Sequence, residues 1–181
     1  LGGKDCTCPK ASPYQEIYNL IKHRALALFY MSEEQRVFHH EDTGVELSKS
    51  YVLSSCFTRS FYDSVASLSC RPKKNMYAII DGQGGWHTAA KGIPEAINFA
   101  TENGLPYQLV KTSSQTEMMQ ILSEFKGLIF QPIIHDTCPR ITIEARLLGL
   151  ELHINERCQH VAEPWWKGAD GDMISYLKDR P

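Results

Sequence analysis

Two short stretches of this 181-residue chain combine residue types suited to binding anions and hydroxyls. The first is Asp81-Gly82-Gln83-Gly84-Gly85-Trp86-His87, which follows the apolar run MYAII at 76–80 and precedes a helical pattern. Glycines at 84 and 85 let the backbone approach a ligand, and the start of the following helix offers free N–H groups and a positive dipole end to an anion. Lys91, one turn into that helix, adds a mobile point charge suited to a phosphate. The stretch is neither a dinucleotide fingerprint, whose third glycine is His87 here, nor a P-loop, which needs G-K-[ST]. A tight strand-to-helix turn with Lys91 as a solvated surface charge explains the same residues.

The second stretch is Ile134-His135-Asp136-Thr137-Cys138-Pro139-Arg140, between the apolar run at 127–130 and the helical pattern ITIEARLLG. Proline at the first helical turn leaves the next N–H groups facing outward. Ile141, Ala145 and Leu148 form the stripe that packs on a sheet, and Glu144 lies about 80 degrees to its side, at the ~100 degrees per residue of a helix. A carboxylate so placed is a bidentate acceptor for sugar hydroxyls. Helix-dipole stabilisation, or pairing with Arg140 four residues back, is the structural alternative for Glu144, as N-capping is for Asp136. His135, within this loop, is either a hydrogen-bonding group for a sugar beside the pocket or a plain loop histidine. Cys138 stands where a helix start favours a thiolate, but no base can be assigned to it.

The elements that position these loops follow from periodicity and caps. Ser12-Pro13 opens a helix to residue 24, and the run ALALFYM at 25–31 reads as a strand buried on both faces. Ser32 and Gln35 form a capping box for a helix through residue 40 that carries a solvated His39-His40 pair. A weaker strand at 51–53, a helix at 57–70 and a polar turn at 71–75 follow. Strands at 76–80, 107–110, 127–130 and 151–154 then alternate with helices at 88–102, 114–125 and 139–148, and a last helix spans 172–178. That alternation predicts an α/β, doubly wound, mostly parallel Rossmann-like sheet with helices on both faces, whose carboxyl edge binds ligands.

With 19 Lys+Arg against 21 Asp+Glu and a net charge of −2, bulk charge does not favour nucleic acid as a partner. No stretch reaches the ~20 apolar residues of a membrane span, and the first residues do not form a signal peptide. The six cysteines, of which only Cys6 and Cys8 are close, read as reduced thiols of a cytoplasmic protein without a metal cluster. Residues 1–11 read as a loose opening segment and 12–181 as one domain. The start at Leu1 suggests a piece of something longer.

The stretch KGLIFQPIIHDTCPRITIEARLLGLELHINE resembles the donor-binding region of retaining glycosyltransferases of the GT-B fold, the group 1 or glycogen-synthase-like family. That family carries two acidic residues eight positions apart, and Asp136 and Glu144 have that spacing, with Asp in place of the usual first Glu. Lys91-Gly92 opening a helix is similar to the family's phosphate-binding stretch. The resemblance divides the domain into an interdomain-type passage at 12–75, a donor-binding core at 76–169 and a terminal helix at 170–181. It implies that Glu144 takes the ribose hydroxyls of a nucleotide sugar and that Asp136 faces the donor sugar. Gly84, Gly85, Lys91, Thr137, Cys138, Pro139 and Arg140 would surround the diphosphate. The implied reaction needs no metal or other cofactor and moves a hexose from a UDP or GDP conjugate to a glycan or similar acceptor, with retention. Many members carry Arg five residues before the Lys, where this chain has Trp86; either Arg140 supplies the second charge or diphosphate binding is weaker. An acceptor-binding half preceding residue 1 is implied as a partner. Trp165 and Trp166 are then either core or a surface for that half. The expectation for Glu144→Ala is lost nucleotide-sugar binding with a nearly unchanged thermal midpoint. The alternative is a non-catalytic nucleotide or sugar-phosphate binding module of the same fold.

Overall fold

The computed structural model describes residues 14–81, 89–111, 114–137 and 139–178, with Tyr14, Gln15, Ile17, Tyr18 and Asp170 given by their backbone alone. In chain order the elements are α1 (Tyr14–Arg24), β1 (Leu28–Tyr30), α2 (Glu33–Thr43), β2 (Ser50–Val52), α3 (Arg59–Ser69), β3 (Lys74–Ile80), α4 (Ile93–Glu102), β4 (Tyr107–Val110), α5 (Gln115–Leu122), β5 (Phe125–Phe130), α6 (Arg140–Leu147), β6 (Glu151–Ile154), α7 (Pro164–Lys167) and α8 (Asp170–Lys178). The architecture is α/β, with every strand pair parallel. The chain divides into two compact units, one of residues 57–158 and one of the segments on either side.

In the unit built from the two outer segments, β1 and β2 form a two-stranded parallel sheet with Phe29 opposite Tyr51. The apolar run at 25–31 is not buried on both faces: Leu26 is 94% and Phe29 66% exposed. Successive strand residues point to opposite faces, and α2 packs on the face that carries Tyr30. Phe29 is left against Tyr51, the two rings tilted by 30° with centroids 5.8 Å apart. The α2 start carries a variant of the expected capping box: Ser32 Oγ accepts from the Gln35 N–H at 3.1 Å, and Gln35 Oε1 accepts from the Met31 N–H rather than that of Ser32. The helix runs three residues past 40, to a left-handed Gly44. Its histidines are not simply solvated, since His39 Nδ1 meets the Tyr30 hydroxyl and His40 Nδ1 lies 2.6 Å from the Val45 carbonyl.

A carboxylate from far along the chain completes this helix start. Glu163 Oε1 accepts from the Glu33 N–H at 2.6 Å, and Ser32 Oγ donates to the buried Gln159 at 2.7 Å. Trp165 and Trp166 are buried in the same unit, both against His160, with Trp165 stacked on Tyr176 at 5.1 Å. The tryptophan pair is core. Glu163→Ala removes an acceptor and a favourable charge from the α2 start, so its expected cost is about 1 kcal/mol. Circular-dichroism melting should register that as a fall of roughly 2–4 °C in a chain of this size, and Glu163→Gln, which keeps an acceptor, should lose less.

The 57–158 unit holds a four-stranded sheet in the order β4-β3-β5-β6. The chain passes from β3 outward to β4, returns across β3 to β5, and continues to β6, so the strand order reverses between β3 and β5. Tyr77, Ile79 and Ile129 pack on Ile93, Ala96 and Ala100 of α4. The alternate residues Ala78, Leu128 and Phe130 are equally buried, and α5 and α6 both pack on β5. Both central strands start earlier than their apolar runs. Lys74 belongs to β3 and pairs with Phe125 of β5, which is fully buried and stands outside α5. The helix expected at 88–102 is interrupted: Ala89 and Ala90 are helical, Lys91 and Gly92 form a turn, and α4 begins at Ile93 with Pro94 in its first turn.

Candidate functional site

The loops after β3 and β5 leave adjacent parallel strands at the point where the strand order reverses. In open α/β sheets this opens a crevice at the carboxyl edge. Gly92 determines how close the loop after β5 comes to the α4 start. It sits at φ +66, and a Cβ there would lie 1.6 Å from the Gln131 carbonyl oxygen and 3.1 Å from Pro132 Cα. The glycine lets the loop after β5 lie against the α4 start, an approach also held by the Ile133 N–H donating to the Ala90 carbonyl at 3.3 Å.

This approach brings Lys91 Nζ onto Asp136 Oδ2 as an ion pair. The Asp136 side chain is 12% exposed and that of Lys91 46%, so the carboxylate is a seated group and the ammonium an accessible one. Asp136 is fixed from behind by the segment after β6: its N–H donates to the Arg157 carbonyl at 2.8 Å, and it pairs with Cys158 in a parallel bridge. Asn155 Nδ2 donates to the Pro132 carbonyl at 3.1 Å, tethering the same loop. Burial, with the Asp136 charge added and Lys91 opposing, pushes the Cys158 thiol up to about 12. Cys158 is therefore a neutral packing group at physiological pH.

Glu144 stands on α6, which is buried over more of its circumference than the stripe Ile141, Ala145 and Leu148 implied. Thr142, Ile143, Glu144, Ala145 and Leu147 are all buried. Pro139 precedes the helix instead of entering its first turn, and its carbonyl accepts from the Thr142 N–H at 3.0 Å and Thr142 Oγ1 at 2.8 Å. Glu144 is 4% exposed. Its Oε1 accepts from Gln115 Nε2 at 2.7 Å and lies 4.0 Å from Arg140 Nε, while Oε2 has no partner among the described residues. Arg140 itself lies over the Phe57 ring at 4.8 Å. Burial holds the Glu144 carboxyl above its ordinary value, against the opposing pull of Gln115 and Arg140.

The expected residues thus fall into two sets on one edge of one unit: Lys91 with Asp136, and Glu144 with Arg140. Thr137 is half-buried beside Asp136, and Pro139 is buried. Gly84, Gly85 and Cys138 lie outside the described residues. Sequence reasoning missed Gln115 and Phe57. Ser114, a helix-capping residue on the same sheet edge, was the available signal for Gln115, because it places that residue first in α5. Among the described residues no group of three or more His, Cys, Asp or Glu could hold a metal ion, and no helix is long and apolar enough to cross a membrane. No family model and no curated protein sequence matches the chain.

Proposed function

We propose that the chain is the donor-binding half of a nucleotide-sugar glycosyltransferase, moving a hexose to a glycan or similar acceptor with retention. The observation that supports this most is the placement of an accessible ammonium, a seated carboxylate and a buried, half-satisfied carboxylate along one carboxyl edge where the strand order reverses. Glu144 Oε2 is an acceptor for ribose hydroxyls. Lys91 and Arg140 are the cations for the diphosphate, and Asp136 orients Lys91 and faces the sugar. On this reading the sugar C1–O bond to phosphate breaks with its electron pair leaving on the diphosphate. The acceptor oxygen bonds to C1 from the same side, and its proton goes to the departing phosphate oxygen. The cations stabilise the charge that develops there.

Calorimetric titration with UDP, GDP and ADP and a hexose conjugate of each tests the reading. Micromolar binding of one base series is expected. Lys91→Ala should weaken it by about 10- to 100-fold, the loss of one charge-assisted contact of about 1.5–3 kcal/mol. Unchanged affinity in Lys91→Ala would sink the phosphate role. A binding module without turnover is the second reading, favoured by the engagement of Asp136 with Lys91, which holds that carboxylate away from chemistry. Tight binding with neither hexose transfer nor donor hydrolysis would select it.

A further inference from the structure

A groove of about 540 Å³ runs between α3 and α5 in the same unit, with Phe61, Leu68 and Met119 as apolar lining and Ser64, Gln115 and Thr116 as polar lining. Gln115 belongs to both places: it lines the groove, and its Nε2 is the donor to Glu144 Oε1. The groove therefore opens within one side-chain length of the carboxylate assigned above to the ribose. A nucleoside's base is joined directly to C1′ of that ribose, so a base attached to a ribose at Glu144 has this groove within reach.

The groove also contains what a base requires. Phe61 is held in place, stacked on Phe57 at 4.4 Å, and Phe57 is in turn covered by the Arg140 guanidinium at 4.8 Å. An aromatic ring immobilised in this way is a stacking surface that any base can use. Gln115 and Thr116 offer donors and acceptors to a base edge, and Ser64, whose hydroxyl donates to the Ser60 carbonyl at 2.9 Å, offers an acceptor.

We infer that the α3–α5 groove is the base-binding subsite, and that the polar groups of its two helices select which nucleotide the chain takes. The inference rests on the ribose assignment of Glu144. Ser64 is exposed on α3, so Ser64→Trp fills the groove without disturbing the core, and Thr116→Trp closes it from the opposite helix if the first variant fails to fold. The full chain is titrated with UDP, GDP, ADP and base-free ribose 5-diphosphate. The expected result is at least a tenfold loss for the preferred nucleotide in either variant, with ribose 5-diphosphate affinity unchanged. Nucleotide affinity that survives both tryptophans but is lost in Glu144→Gln would overturn the groove and leave the ribose assignment standing. A wild-type chain that binds none of the four probes would overturn both.

Discussion

Glu144→Gln should separate stability from binding, and in opposite directions. Burial holds the Glu144 carboxyl above its ordinary value, with Gln115 and Arg140 pulling it back only in part. A raised acid in the folded state binds its proton more tightly than in the unfolded chain, so keeping it ionised costs stability. That cost is absent below the unfolded value, grows as pH rises through the folded value, and is full above it. The glutamine variant removes the charge yet retains an oxygen to accept from Gln115. Its thermal midpoint should therefore equal or exceed that of the parent at pH 8, with the difference vanishing toward pH 4. Nucleotide affinity should fall about 10- to 100-fold, because the amide oxygen is taken by Gln115 and the ribose hydroxyls then face an NH2 group in place of a charged acceptor worth about 1.5–3 kcal/mol. Glu144→Ala is the cruder change. The sequence alone predicts a nearly unchanged midpoint, but the burial of Glu144 revises that, since truncation opens a cavity at a 4% exposed site and removes the bond from Gln115, costing about 1–2 kcal/mol. A parallel fall of stability and affinity in Glu144→Gln would make Glu144 a structural residue and leave the ribose without its partner.

The order of strands and helices in the 57–158 unit was legible because each strand there is a short apolar run bounded by caps, glycines or prolines. Both loops at the reversal could be placed from that order alone. The boundaries were less legible where pairing overrides composition. Lys74 and Asn75 look like a turn yet extend β3, because the buried Phe125 gives Lys74 a strand partner. The run at 25–31 failed for the opposite reason. Its apolar character matched a buried strand, but among the described residues β1 pairs with β2 alone and α2 packs on the Tyr30 face, so Phe29 remains outside. Within the site, the spacing of Asp136 and Glu144 and the pairing of Glu144 with Arg140 one turn back were visible, whereas Lys91 as the partner of Asp136 and Gln115 as the second partner of Glu144 were not. Lys91 lies 45 residues from Asp136 and Gln115 lies 29 from Glu144, and only the crossing of the chain between β4 and β5 brings such residues to one edge. The burial of Glu144 was equally hidden, since it depends on α5 packing against α6.

Gly92→Ala is expected to be the most damaging single-methyl change in the described part of the 57–158 unit. Two penalties combine there. The positive φ disfavours any side chain by about 1 kcal/mol. Separately, the added carbon would sit 1.6 Å from a backbone carbonyl oxygen that belongs to the loop carrying Asp136, so that loop must move. Gly104 separates the two effects: it has φ +61 and nothing within 4 Å of an added Cβ. Gly104→Ala should therefore cost only the conformational part, about 1 kcal/mol, whereas Gly92→Ala should cost about 3 kcal/mol or more, the range of overpacking against a rigid neighbour. Denaturant unfolding of the two variants beside the parent measures the contrast directly. Because the loop after β5 moves, the Lys91–Asp136 pair should also open, and whatever nucleotide binds the parent should bind the Gly92 variant more weakly even at temperatures where it is folded. Equal destabilisation by the two alanines would mean that the β5 loop does not lie against the α4 start, and the pairing of Lys91 with Asp136 would lose its structural basis.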